Sequence, residues 1–203
     1  MKIAKLQIKN STQGFTLSEL IVTVAIITIM ISITLGSRNT YTERLVLKTE
    51  MYNATLTLRK AQVYSLGVKG SVAGSNPTTF DTSYGVSFNA LANDTFSLFV
   101  DENIDRDMDP LEYRDVFVIG NKVTVQKICA LLGGVETCSP DGSIARIDVT
   151  FNRPKPNARV KVMTSSGTEI SNTSTPVKIY FVNSSGASSF IQIDYTGSVS
   201  API

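Results

Sequence analysis

The chain has 203 residues, which is enough for one domain with a sizeable core and an appendage. It carries 19 Lys and Arg against 17 Asp and Glu, and three of the lysines (Lys2, Lys5 and Lys9) precede the first apolar segment. The rest is therefore close to neutral, which does not indicate a general binder of nucleic acid or anionic membranes. Histidine is absent, as are a glycine-rich phosphate loop and a nucleophile elbow, so the sequence does not predict an enzyme.

The first predicted element is the apolar stretch "GFTLSELIVTVAIITIMISITL", which runs from Gly14 to Leu35. As a helix, Phe15 to Leu35 spans roughly 30 Å, the thickness of a bilayer core. Lysines precede the stretch and no acid does, so the positive-inside rule leaves residues 1–14 in the cytoplasm. The following "ISITLGSRNT" has no clean A-x-A cleavage site. We expect a single membrane-spanning helix whose carboxyl-terminal side lies outside the cytoplasm.

One acid, Glu19, stands near the start of this apolar stretch. An unpaired charge inside a membrane costs about 2.5 kcal/mol or more, so Glu19 needs a partner. The sequence offers no basic residue within a turn or two along the stretch. Cleavage just before Phe15 would create a new amino group about one helical turn away, on the same chain or on a neighbouring subunit.

The stretch "KNSTQGFTLSELIVTVAIITIM" resembles the class III leader of type IV pilins. The resemblance implies that a prepilin peptidase cuts between Gly14 and Phe15 and methylates the new Phe15 amine. It also implies that Glu19 attracts the amine of an incoming subunit, so that filament assembly neutralises both charges. The chain departs from many major pilins at Gly36, where they have a proline that kinks the helix.

The helical pattern continues beyond Gly36 with one apolar face and ends near Gly67 and Gly70. We therefore expect a leader at 1–14, a transmembrane and assembly helix at 15–36, an amphipathic helical half at 37–67 and a β-rich head at 68–203. The residues predicted to pack on the head recur at spacings of three and four: Leu47, Met51, Ala54, Leu58, Ala61 and Ser65.

Beyond Gly70 the sequence changes to short runs of β-type residues between Gly, Asn, Ser and Pro. The candidate strands are "TTFDT", "YGVSFNA", "TFSLFVD", "DVFVIG", "KVTVQKI", "IARIDVTFN", "ARVKVMT", "VKIYFVN" and "SFIQIDYTG". In "IARIDVTFN", Arg146 and Asp148 share one face of the strand, and Ile147 and Val149 share the other. The predicted fold class is α+β: a long amino-terminal helix, half transmembrane and half amphipathic, packed on a mostly antiparallel β-sheet.

This architecture resembles the FimT/GspH-like minor pseudopilins within the type IV pilin fold. The local stretches that carry this resemblance are "LRKAQVYSLGVKG", "YGVSF", "FSLFVDENIDRD" and "IQIDYTGSVS".

The stretch "DENIDRDMDPLE" places oxygen-bearing side chains at positions 1, 3, 5, 7, 9 and 12 of a loop, close to the EF-hand calcium pattern. Arg106 stands at position 6, where an EF-hand has glycine, and the flanks are predicted strands. Two alternatives stay open, a calcium site and a solvated acidic hairpin. The candidate ligands are Asp101, Asn103, Asp105, Asp107, Asp109 and Glu112.

Cys129 and Cys138 are the two cysteines of the chain. A pair this close in a chain with an exported character is expected to form one disulfide across a short loop. The alternative is two free buried thiols.

The favoured function is structural: a minor pilin or pseudopilin of a type IV pilus or a type II secretion pseudopilus. The expected partners are the prepilin peptidase, other pilins or pseudopilins bound through the amino-terminal helix, and the inner-membrane assembly platform. The expected location is the bacterial inner membrane, or the cell surface within a pilus. No cofactor is expected to be required, with calcium the one alternative.

A second function is DNA binding within a competence pilus. Some FimT-like proteins capture DNA through a carboxyl-terminal Gly-Arg-x-Arg segment, but here the matching "TGSVSAPI" lacks both arginines. The remaining candidates for phosphate contacts are Arg153, Lys155, Arg159 and Lys161 in "RPKPNARVK". The favoured alternative is a solvated sheet edge that uses these charges to block aggregation.

Overall fold

The structure is a computed structural model that describes residues 14–67, 82–120, 122–139, 144–155, 157–170 and 173–201, with side chains left out at 36–40 and 173–174. The chain divides into two compact units, Met1–Tyr41 and Thr42–Ile203. Residues 1–13 of the predicted leader lie outside the described residues, as does the predicted strand "TTFDT" apart from Thr82.

The first element, α1, spans Leu17–Leu66. It begins after Thr16, whose Oγ1 accepts a hydrogen bond from the Glu19 backbone N–H at 3.3 Å. The carbonyl oxygen of Thr16 accepts the first helical bond, from the Leu20 N–H at 3.1 Å. The spacing Thr-x-x-Glu is that of a capping box, which stabilises a helix start by about 1 kcal/mol. Thr16 is therefore the residue that fixes where α1 begins.

The part of α1 in the first unit includes a segment, Leu17–Leu35, that is long and apolar enough to span a membrane. Apart from Glu19, its polar side chains are hydroxyls, and Thr23, Thr28, Ser32 and Thr34 each donate a hydrogen bond to a carbonyl oxygen of the preceding turn. For example, Thr28 Oγ1 donates to Val24 O at 2.7 Å, and Ser32 Oγ donates to Thr28 O at 2.8 Å. Such bonds satisfy hydroxyl groups within the helix itself, so they are compatible with an apolar surrounding.

The second unit contains two antiparallel sheets. Their strands are β1 Ser83–Asn89, β2 Thr95–Asp101, β3 Tyr113–Val118, β4 Val123–Leu132, β5 Val135–Cys138, β6 Arg146–Phe151, β7 Ala158–Met163, β8 Thr173–Asn183, β9 Ser188–Ile193 and β10 Val199–Ser200. Within the described residues, one sheet has the order β3-β2-β1-β6-β7 and the other the order β10-β9-β8-β4-β5. Every named strand pair is antiparallel.

The second half of α1 packs against these sheets through the predicted stripe. Ala54, Leu58 and Ala61 are fully buried, and Leu47, Met51 and Ser65 are at most 5% exposed. The stripe joins one continuous hydrophobic core with Phe88, Phe181 and other residues from both sheets. The stripe is confirmed, and so is the predicted α+β fold, a long amino-terminal helix with an antiparallel β-sheet head.

The head differs from the prediction in having two sheets where the sequence suggested one. The strands β1 and β2 are buried on both faces, so the alternation that marks a half-exposed strand is weak there. Gly85 shows how tightly β1 is packed, because a Cβ at this position would lie 2.5 Å from the Phe99 ring. The short strands β5 and β10 were missed, since four or two residues give too little pattern to recognise.

Candidate functional site

The predicted cleavage site lies just before α1. Gly14, Phe15 and Thr16 are outside the helix, and the Phe15 side chain is 80% exposed. A Cβ added at Gly14 would meet no atom within 4 Å. The described residues therefore give no steric reason for glycine at position 14.

Glu19 lies in the first turn of α1 and is exposed. Its own backbone N–H is capped by Thr16, and a carboxylate in the first turn is favoured by the partial positive charge at a helix start. The first basic residue after it in the sequence is Arg38, five turns further along. An amine created at Phe15 would thus be the nearest cation along the chain.

The predicted acidic loop connects β2 to β3, and much of its hydrogen bonding is internal. Glu112 accepts the Glu102 N–H at 2.9 Å on Oε1 and the Asp109 N–H at 3.2 Å on Oε2. Asn103 Oδ1 accepts the Asp105 N–H at 3.1 Å, and Asp105 Oδ1 accepts the Asp107 N–H at 2.8 Å. Several of the predicted metal-binding oxygens are therefore already acceptors for the loop's own backbone.

The backbone of this loop has the left-handed conformation that EF-hand loops need at position 6. Arg106 occupies that position with φ of 67°, and Ile104 has φ of 62°. A non-glycine residue is unfavourable there, but Arg106 nonetheless adopts the conformation. Side chains other than glycine are strained by about 1 kcal/mol or more in this region.

Two basic side chains from β6 and β7, in the same sheet as β2 and β3, contact the loop. These side chains, Arg146 and Lys161, form a polar cluster with Asp107 and Asp148. The Arg146 guanidinium bonds to Asp107 and lies 3.0 Å from Asp148 Oδ2. Lys161 Nζ lies 3.3 Å from Asp107 Oδ2 and donates to the Asp105 carbonyl oxygen at 3.2 Å. The loop thus covers the polar face of β6 and β7.

Burial changes the acidity of three carboxyl groups in and beneath the loop. It raises the pKa of Asp148, which is fully buried, although Ser87, Arg146 and Lys161 act in the opposite direction. Burial likewise raises the pKa of Asp101 and of Glu112. Asp101 Oδ1 is buried without a hydrogen-bond partner among the described residues.

The predicted calcium ligands are not assembled around one point. In the part of the chain that the structure describes, no group of three or more Asp, Glu, Cys or His side chains is arranged to hold a metal ion. Asp107 instead faces the Lys161 ammonium and the Arg146 guanidinium. The calcium site therefore stays a prediction from the sequence, alongside the alternative of an acidic loop that needs no ion.

The four predicted phosphate contacts do not form one surface. The phosphate contacts stay a prediction from the sequence, but Lys161 is only 8% exposed and is bonded to the acidic loop, so it does not share a solvated face with Arg159. The reason is that the loop folds across β7, which the sequence did not reveal. Arg159 and Lys155 are exposed, and Arg153 is half-buried.

Cys129 and Cys138 are bonded to each other in the structure, with Cα atoms 4.0 Å apart. They face each other across the pair β4 and β5, so the disulfide joins adjacent strands at one edge of the second sheet.

Sequence reasoning missed the role of Arg146 and Lys161 as partners of the loop. One signal pointed to the position of Lys161. It lies directly opposite Asp148 in the pairing of β6 with β7. Opposite charges at facing positions stabilise a strand pair. The position of the loop over these residues had no signal in the sequence.

Comparison with known proteins gives one match. The family model for the prokaryotic N-terminal methylation motif matches residues 9–35, which include Gly14, Phe15 and Glu19. No significant match was found to a curated protein or to a solved structure. The motif and the α+β fold together support a type IV pilin or pseudopilin type of protein with a class III leader, anchored in a membrane by its apolar helix. Such a motif implies a structural subunit.

Proposed function

We propose that this chain is a minor pilin or pseudopilin, FimT/GspH-like in type, that a prepilin peptidase processes between Gly14 and Phe15. The processed subunit then enters a type IV pilus or a type II secretion pseudopilus through its amino-terminal helix. The observation that carries the proposal is the match of the methylation motif to residues 9–35, a range in which Glu19 is the one acidic residue.

The mechanism follows from the charges at the start of α1. Cleavage leaves an amine on Phe15, immediately before the Thr16 cap, and Glu19 lies in the first turn. In a membrane each of these charges is costly alone, and their attraction is strong because the dielectric is low. Pairing Glu19 of one subunit with the Phe15 amine of another therefore favours assembly within the bilayer. The inner-membrane platform would add subunits from there, with the head outside the cytoplasm.

Replacement of Glu19 tests the pairing. Glu19→Ala and Glu19→Gln should both be cleaved, because the scissile bond lies outside the helix, but both should be lost from filaments. Glu19→Gln is the matched control for shape, since it keeps a polar side chain of the same size without the charge. Entry of Glu19→Gln into filaments at the parent level would show that the charge is not required.

Gly14→Ala tests the processing step separately. Because a Cβ at position 14 meets no neighbouring atom, the fold of the chain should be unchanged. We expect cleavage to fail, which a gel shift from unprocessed to processed chain would reveal. Normal processing of Gly14→Ala would contradict the assignment of the cleavage site.

DNA binding is the second candidate function, and its support is a pair of exposed basic residues. Two exposed basic residues, Lys155 and Arg159, remain near the turn between β6 and β7, whereas Lys161 is engaged by the loop. A salt-sensitive gel shift by the parent chain that is lost in Lys155→Ala/Arg159→Ala would support this candidate, and no shift at low salt would remove it.

A further inference from the structure

An open groove of about 540 Å³ lies between α1 and β10 in the second unit. Its floor and walls are mainly apolar, and the basic side chains of Lys48 and Arg59 line it without a carboxylate side chain among the described residues. Both basic residues are exposed. The apolar residues that line the groove are Leu45, Met51, Tyr52, Leu56, Val199 and Ala201. A ligand suited to this groove would combine an apolar side chain with a nearby negative charge.

The acidic loop presents such a combination. Leu111 is 90% exposed, the most exposed large apolar side chain among the described residues. It follows Asp109 by two positions and the exposed Pro110 by one. Asp107 is neutralised by Arg146 and Lys161, but neither of these bonds to Asp109, whose Oδ2 accepts only a neutral Asn103 amide at 3.1 Å in the described contacts. An exposed leucine beside a carboxylate matches the groove in polarity and charge.

The loop of a subunit is bonded to β6 and β7 of one sheet, whereas that subunit's groove is lined by β10 of the other sheet. Lys60 pairs with Asp115 at 3.0 Å, which places the start of β3 beside the end of α1. Phe117 and Val118, in the later part of β3, line a second depression together with residues of α1: Glu50, Asn53, Leu56 and Thr57.

We propose that Leu111 of one subunit docks into the groove between α1 and β10 of a second copy of this chain, with Asp109 facing Lys48 or Arg59. The occupant is a second copy because the chain itself carries both complementary surfaces. The two surfaces differ, so the contact is heterologous, the type that generates filaments when it does not close into a ring. The inference rests on the proposed function, for which it supplies a contact between heads in addition to the helix.

Disulfide cross-linking of the full-length chain in its membrane tests the contact. Two versions with different tags are produced together, one with Leu111→Cys and the other with Tyr52→Cys in the groove. The native cysteines are bonded to each other, so they do not compete. We expect a mixed-tag dimer upon mild oxidation. The control replaces Tyr52→Cys by Val135→Cys, a side chain 68% exposed on β5, which should cross-link at background level.

A charge change then tests the pairing with Asp109. Adding Lys48→Glu to the Tyr52→Cys chain should lower the yield of the dimer about fivefold, the effect of one weakened charge pair on an equilibrium. No mixed-tag dimer, or equal yields with Val135→Cys, would overturn the proposal. A cross-link from Tyr52→Cys to a different polypeptide would also overturn it, by assigning the groove to that partner.

A failure of the docking contact and a failure of the proposed function give different results. If Phe15 is processed and the chain is found in filaments without the cross-link, only the docking contact is wrong. If the chain is never processed or assembled, the proposed function fails whatever the cross-linking shows.

Discussion

Lys161 Nζ lies 3.3 Å from Asp107 Oδ2 and 3.2 Å from the carbonyl oxygen of Asp105, so an ammonium group from β7 binds the acidic loop between β2 and β3. The Lys161 and Asp107 side chains are 10% and 16% exposed. Together with the Arg146 guanidinium, this ammonium neutralises Asp107 within the protein itself. The loop therefore has an internal cation where its sequence pattern suggests an external one.

Removing that ammonium should destabilise the head. Lys161→Met keeps the apolar stem but leaves loop oxygens without a donor, at a cost of about 1–3 kcal/mol in the free energy of unfolding. Chemical denaturation of the detergent-solubilised chain measures this. Lys155→Met, at an exposed lysine of the neighbouring turn, is the control and should change stability by less than about 0.5 kcal/mol. A Lys161→Met chain as stable as the parent would show that the contact contributes nothing.

Calcium should have little effect on the parent chain if the two basic side chains take the place of an ion. We expect the same melting temperature in excess calcium and in excess chelator. A clear rise in calcium would contradict this expectation and would support the calcium site predicted at Asp101, Asn103, Asp105, Asp107, Asp109 and Glu112. Asp101→Asn would then abolish the rise, because it removes a charged ligand from position 1 of the loop.

Arg106→Gly should stabilise the loop. Arg106 has φ of 67°, a conformation that glycine adopts without steric cost, so relief of strain should add about 1 kcal/mol. Arg106→Ala is the control, since it removes the same side-chain charge but keeps the Cβ that causes the strain. Thermal melting of the two variants checks the prediction, and equal melting temperatures would argue against strain at this residue.

The pH dependence of stability follows from the buried carboxyls. Burial raises the pKa of Asp148, Asp101 and Glu112 in the folded state, so the folded chain binds protons more readily than the unfolded chain. The resulting stability is present at low pH and is lost as the pH rises through the folded-state pKa values. In calcium-free buffer, we expect the melting temperature to rise as the pH falls from neutral through the folded-state pKa values of these carboxyls. The rise should be smaller in Asp101→Asn, and a fall would contradict the assignment.

The sequence predicted α1 and its packing well because those features are local and periodic. Residues from Leu47 to Ser65 repeat at helical spacing, and burial follows that repeat. The class III leader is equally local, since its residues are neighbours in the chain. The candidate strands from "YGVSFNA" onward were also recognised, because β-branched and aromatic residues cluster between turn residues.

The surroundings of the acidic loop could not be predicted in the same way. Asp107 meets Lys161 across 54 sequence positions, and no local pattern links them. The alternation in β6 suggested a solvated polar face, yet Asp148 is fully buried because the loop covers it. Local pattern therefore leaves Lys161 as a candidate for solvent or for phosphate, and in the fold it bonds to the Asp107 carboxylate.

The central claim is that the chain is processed before Phe15 and then assembled into a filament. Mass spectrometry of sheared surface filaments and of membranes tests it most directly, by a search for the peptide that begins at Phe15 and for its amino-terminal methylation. The account predicts a methylated peptide that begins at Phe15, in filaments for a pilus subunit or in membranes alone for a pseudopilus subunit. An intact leader that still joins Gly14 to Phe15 in both fractions would contradict it.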